Sequence, residues 1–203
     1  MGELAFTHRY VPGTSARTLL LLHGTGGDEN DLLPLGRELD PAAGLLSVRG
    51  QVTENGMPRF FRRLAEGVFD LEDLKVRAQE LADFIVAATD HYGVARGELI
   101  AVGYSNGANI AGAIFLLRPE VLRRAILFRA MVPLVPATLP DLTGAQLLLA
   151  AGKHDPIIEP AETGRLVALL QTAGAETTTE FLNAGHELSP ADLALAKRWL
   201  ATR

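Results

Sequence analysis

Five short runs in this chain, at residues 18–23, 45–49, 98–103, 125–129 and 146–152, are apolar on consecutive positions rather than on alternate ones. A strand with one solvated face alternates, whereas a strand covered on both faces has no reason to. Such runs therefore predict parallel strands sandwiched between helices. A more polar stretch at 177–183 reads as a further strand. Helical patterns fill the intervals. The clearest spans 70–92, where apolar or small residues at 71, 74, 78, 81, 85, 88 and 92 make one stripe. Gly93 stands where a left-handed terminal residue is expected, with His91 in the last turn. Two more helices are expected from Pro160 after Glu159 and from Pro190 after Ser189, the latter with Asp192 placed for a capping box. Alternating strands and helices predict an α/β fold with a mostly parallel sheet and helices on both faces. No repeat or linker divides the chain, so one domain over 1–203 is expected. The segment 50–67 lacks clear periodicity, and long irregular loops are often functional.

A chain of 203 residues, 48% of them hydrophobic, has enough material for one large core. Its net charge of −5 provides no electrostatic footprint for nucleic acid. There is no cysteine, which excludes disulfides, thiolate metal sites and a Cys nucleophile. The opening stretch MGELAFTHRYVPG has neither a basic n-region nor an apolar h-region. No apolar run approaches the roughly 20 residues that span a bilayer. A cytoplasmic protein without stable membrane association is the expectation.

The pattern Gly103-Tyr104-Ser105-Asn106-Gly107 carries the chemistry. With four serines and 20 glycines in the chain, Gly-x-Ser-x-Gly arises by chance only ~0.04 times. Its context narrows it further: ELIAVGYS reads as a strand ending at Ser105, and NGANIAGAIFLL as a helix starting at once. A strand turning into a helix within two residues places the serine at a strained apex, where only small residues at 103 and 107 avoid the backbone. Ala108 and Gly112 are expected to keep that helix close to the sheet. Unpaired N–H groups at the helix start would stabilise an oxyanion formed beside the hydroxyl. The competing reading is a glycine-rich turn that packs tightly or binds an anion.

A serine hydroxyl needs a base and a group to orient it. Of five histidines, His8 lies near an expected first strand, His23 ends a strand and His91 ends a helix, so each has a structural role available. His154 and His186 remain. In a strand–elbow–helix arrangement the order is Ser, acid, His, and sites lie at C-terminal strand ends. Asp155 as acid and His186 as base satisfy both requirements. His154 reads as a loop residue, and Asp141 and Glu159 are rival acids placed before a strand and at a helix start. The loop Leu22-His23-Gly24-Thr25-Gly26-Gly27-Asp28 offers a second oxyanion donor, the Thr25 N–H, to pair with that of Asn106. It lacks the Lys and spacing of a Walker A phosphate loop.

The segments HGTGGDENDLLPLGREL, GYSNGANIA, AGKHDPIIEP and NAGHELSP resemble the phospholipase/carboxylesterase branch of the α/β-hydrolases, which includes acyl-protein thioesterases. VRGQVTENGMPRFFRRLAEGVFD resembles a bacterial subgroup with hydrolases associated with hydroquinone and quinone stress. The resemblance implies Ser105 as nucleophile, Asp155 and His186 as acid and base, Thr25 and Asn106 as oxyanion donors, and an acyl-enzyme route needing no metal or cofactor. Its implied substrates are small or medium carboxylic esters, with thioesters, lysophospholipids and aryl esters as variants; a homodimer is left open. Asn106 and Thr25 stand where the thioesterases carry Gln and Leu, which weakens any inference of protein depalmitoylation.

Met57, Phe60, Phe61, Phe69, Met131 and Val132 are candidates to line an acyl or aryl pocket. Arg59, Arg62 and Arg63 attract an anionic substrate or form a solvated charged face, the second being the default. Two other classes compete with the esterase: a metal-dependent hydrolase using His154, Asp155 and Glu159, although without any HExxH-type spacing, and a non-catalytic binding protein on the same fold.

Overall fold

The computed structural model describes residues 4–203. The first three residues, part of the amino-terminal stretch considered above, lie outside them. Strands β1 (His8–Val11), β2 (Thr18–Leu22), β3 (Gly44–Val48), β8 (Leu99–Tyr104), β9 (Arg124–Phe128), β10 (Gln146–Gly152) and β11 (Glu176–Leu182) form the central sheet. Between β3 and β8 run four short strands, β4 (Val52–Glu54), β5 (Met57–Arg59), β6 (Arg63–Ala65) and β7 (Val68–Phe69). The helices are α1 (Leu33–Leu39), α2 (Leu71–Tyr92), α3 (Asn106–Leu117), α4 (Pro160–Thr172) and α5 (Pro190–Leu200).

The sheet order is β1-β3-β2-β8-β9-β10-β11, with β1 antiparallel to β3 and every other pairing parallel. Consecutive apolar residues send alternate side chains to opposite faces, and both faces are covered. Leu20, Leu22, Leu46, Ala101, Ala125, Leu127, Leu147 and Leu149 pack with α2, α3 and α4. Leu19, Leu21, Leu45, Ile100, Val102, Ile126, Phe128 and Leu148 pack with α1 and α5. Each fully buried Leu or Ile side chain contributes ~1.5–3 kcal/mol relative to exposure, so neither face tolerates a polar run. β11, at the sheet edge, has a half-exposed pattern, which accounts for its polar sequence.

Helix ends follow the local chemistry. Asp70 caps α2 by accepting the Asp73 N–H, and Gly93 closes it at φ 67°. Ser189 and Asp192 form a complete capping box on α5. The 50–67 segment, aperiodic in sequence, is two small hairpins. β4 and β5 are joined by Asn55-Gly56, whose φ values of 50° and 80° suit a two-residue hairpin turn. β6 pairs with β7 around Glu66-Gly67.

From β2 the chain moves outward one way to β3, and from β8 it moves outward the other way to β9. The C-terminal ends of adjacent β2 and β8 thus flank the point where strand order reverses, which is where open α/β sheets form a crevice.

Candidate active site

Ser105 connects β8 to α3 with φ 52° and ψ −112°. A non-glycine residue with positive φ costs of order 1–3 kcal/mol and persists only where its surroundings hold it. Here the Ser105 N–H donates to the Phe128 carbonyl (2.9 Å), and its carbonyl accepts the Asn109 N–H (2.9 Å). The flanking glycines are required. A Cβ on Gly103 would lie 2.6 Å from Ala108 Cα, and one on Gly107 would collide with the Leu22 and His23 backbone. Gly112 is different: an added Cβ would meet Pro133 only at an ordinary 3.6 Å, so it is not needed for a close helix–sheet approach.

Three side chains from separate strand ends meet at this elbow. His186 Nε2 lies 3.0 Å from Ser105 Oγ, and His186 Nδ1 lies 2.8 Å from Asp155 Oδ2. Asp155 follows β10, and its side chain is 1% exposed. Its other oxygen accepts the N–H groups of Ile157 (2.8 Å) and Ile158 (3.0 Å), which fixes the carboxylate. A carboxylate bonded to Nδ1 makes that nitrogen the donor and leaves Nε2 free to accept the serine proton. His154, one residue earlier, turns away to Asn183 Oδ1 (2.8 Å). Asp141 accepts the N–H of Thr143 in an exposed loop, and Glu159 stands at the start of α4; neither is bonded to His186. Among the described residues no three His, Asp or Glu side chains group to hold a metal ion, so His154, Asp155 and Glu159 do not form a ligand set.

The loop after β2 closes the other side. Thr25, Ser105 and Asn106 line one cavity of about 240 Å³ with Arg59, Arg63, Glu66, Phe69, Tyr104, Asn109, Met131, Ile157, Ile158 and His186. His23 braces this loop from below: Nδ1 donates to the Gly24 carbonyl (2.6 Å), and Nε2 accepts the Gly50 N–H (3.0 Å). The first hairpin locks on from above through the Gly26 N–H to the Pro58 carbonyl (2.9 Å). Asn106 adds a tie of its own, because its buried Oδ1 accepts the Phe60 N–H (2.7 Å).

The expected pocket lining needs correction. Met131 lines the cavity, as does Phe69. Phe60 and Phe61 are 2% and 0% exposed and belong to the core, Phe60 against His23 and Phe61 against Phe69. Val132 packs against the core, and Met57 is 40% exposed near Gly26 on the first hairpin. Ile157 and Ile158 contribute the apolar wall instead. They lie in KHDPII, and their place directly after the candidate acid was a usable signal. The three arginines also separate: Arg62 is 61% exposed and pairs with Asp70, whereas Arg59 is 3% exposed and lines the cavity with Arg63.

Sequence reasoning missed Arg129. At the end of β9, with φ 56°, it is wholly buried. Its guanidinium donates to both oxygens of Asp192 (2.7 and 2.9 Å) and to the carbonyls of Ala150 (3.2 Å), Gly185 (2.8 Å) and Glu187 (2.9 Å). Both neighbours of His186 are thereby anchored. Burial alone would favour a neutral Asp192, yet the hydrogen bonds from Arg129 and Ser189 hold its carboxyl below the ordinary range.

Known proteins resemble the chain over almost its whole length. MhqD of Bacillus subtilis strain 168, which is named as a hydrolase, is 50% identical over 192 residues, covering 95% of this chain and 96% of the relative. A carboxylesterase from Bacillus cereus superposes with a TM-score of 0.94 at 46% identity over 98% of this chain and 94% of its own. A carboxylesterase from Mesorhizobium loti gives 0.93 at 33% identity over 100% and 98%. No family model matches the chain.

Proposed function

Because the chain belongs to the phospholipase/carboxylesterase-type α/β-hydrolases, we propose that it is a serine carboxylesterase that hydrolyses short carboxylic esters through an acyl-enzyme. Hydrolase and carboxylesterase relatives support the esterase class; the serine route and the substrate size are the proposal. The observation that carries it is the unbroken hydrogen-bonded series Ser105–His186–Asp155 at a positive-φ elbow. His186 takes the Ser105 proton as the oxygen attacks the ester carbonyl, and Asp155 holds the imidazole in the tautomer that can do so. The N–H groups of Thr25 and Asn106, at the cavity wall and the start of α3, receive the oxyanion. His186 then protonates the leaving alkoxide, and water enters by the same steps in reverse order to release the acid.

Substrate size follows from space. A cavity of about 240 Å³ lies below the ~300–1,000 Å³ usual for drug-sized ligands, which favours small acyl and alcohol groups over long-chain thioesters or lysophospholipids. Replacing Ser105 by Ala tests the reading: release of p-nitrophenol from p-nitrophenyl acetate is expected to fall at least about 10⁴-fold with the fold intact. EDTA is expected to leave wild-type turnover unchanged, and its loss would favour a metal route.

A further inference from the structure

The cavity beside Ser105 has a polar end that ester hydrolysis alone does not require. Arg59 and Arg63 both line it, and both lean on one carboxylate: Arg59 Nε lies 3.2 Å from Glu54 Oε2, and Arg63 Nε lies 2.9 Å from Glu54 Oε1. Arg59 is 3% exposed, donates from Nε to the Phe61 carbonyl (3.2 Å) and from Nη1 to Thr25 Oγ1 (2.8 Å), and lies over the Phe61 ring. These bonds use Nε and one proton of Nη1 on Arg59 and Nε on Arg63, so among the described residues Nη2 of Arg59 and both terminal nitrogens of Arg63 keep all their protons to donate.

Two guanidiniums against one carboxylate leave a single positive charge uncompensated, and the buried member is Arg59, at 3% side-chain exposure against 29% for Arg63. Holding a guanidinium as buried as that of Arg59 out of water is unfavourable unless a partner arrives. Burial, together with the adjacent Arg63, pulls Arg59 below its ordinary range by more than Glu54 restores. Glu66, which also lines the cavity, sits on the exposed turn between β6 and β7 at its mouth and pairs with neither arginine. One unmatched charge suits a monoanion, and a guanidinium's parallel donors suit a planar carboxylate.

We propose that Arg59 and Arg63 form a carboxylate subsite, and that the preferred substrates are short esters bearing a carboxylate on the acyl or the alcohol side. This rests on the serine-esterase reading of Ser105. Arg59 is bonded to Thr25, whose N–H faces the reacting carbonyl in that reading, so the carboxylate and the ester share one small cavity and only a short spacer separates them.

Two matched pairs of probes test the subsite. Mono-4-nitrophenyl glutarate against its methyl ester reads the acyl side, and 4-acetoxybenzoate against methyl 4-acetoxybenzoate reads the alcohol side. A charge-assisted hydrogen bond implies roughly a 10- to 150-fold preference, so the wild type is expected to favour the charged member of at least one pair about tenfold or more in kcat/KM. Arg63→Gln and Arg59→Gln should each shrink that preference about tenfold. Arg63 is the more exposed of the two, so its variant reports even where Arg59→Gln unfolds, and thermal unfolding identifies that case. If the arginines only brace Thr25, both members of a pair slow equally and the preference survives, which overturns the subsite. Turnover of all four esters without preference also overturns it, leaving the esterase reading in place. Turnover of none overturns the esterase reading and the subsite together.

Discussion

At the scale of single residues, backbone roles and side-chain roles have to be kept apart. Asn106 enters the sequence reading through its N–H alone. Instead its Oδ1 holds the Phe60 N–H at 2.7 Å, so the residue also ties α3 to the segment that roofs the site. Nothing in the one-dimensional pattern announces a partner 46 positions away. His23 shows the opposite case, since its place at the end of a buried strand already suggested a structural part. Its Nε2 accepts from Gly50, which requires the proton on Nδ1 and a neutral ring. Burial pushes its pKa below the ordinary 6.5, against the Gly24 hydrogen bond and the nearby charges of Asp31, Asp28 and Glu29. The unfolded chain therefore takes up this proton at a higher pH than the folded one. Stability from this group is complete above about pH 6.5, falls as the pH drops below it, and stops falling once the folded ring protonates. Urea unfolding of the wild type and of His23→Gln between about pH 7 and pH 5 checks this: the wild type should lose stability more steeply, and parallel slopes would contradict it.

At the scale of elements, legibility depended on whether a signal was local. The five apolar runs, the α2 stripe ending at Gly93 and the Ser189–Asp192 capping box all became the elements expected, with ends within a residue or two. Propensity, capping and two-face burial are all local or nearly so. The 50–67 segment was illegible because its strands are two or three residues long, too short for a period to show. Its Asn55-Gly56 dipeptide was nonetheless a hairpin signal in its own right. The pocket was misread for a related reason. Phe60 and Phe61 stand in an irregular stretch, which suggests a lining role, but the hairpins turn them inward, and the loop between β10 and α4 supplies Ile157 and Ile158.

At the scale of the whole molecule, four strand ends converge at the crevice, and Arg129 fastens two of them to α5. Chain order and strand-end position were enough to bring Ser105, Asp155 and His186 together in expectation. The charge that holds the His186 loop in place was invisible, because a buried arginine with five acceptors reads in sequence as one more surface cation. Arg129→Met leaves Asp192 buried and unpaired and is expected to cost ~3–5 kcal/mol in denaturant unfolding. Adding Asp192→Asn removes that stranded charge while keeping an oxygen for the Ser189 cap, and should restore part of the stability. It should not restore kcat, because the Gly185 and Glu187 carbonyls remain unanchored. Full recovery of kcat along with stability would show Arg129 to be a packing residue only.

The claim on which the rest depends is that Ser105 is the nucleophile. The most direct measurement is peptide mass spectrometry of the protein inactivated by a fluorophosphonate, with residual turnover of p-nitrophenyl acetate followed in parallel. The account predicts one phosphonyl adduct per chain, located on Ser105, rising in step with the loss of activity. An adduct at another residue, or full inactivation with Ser105 unmodified, would contradict it.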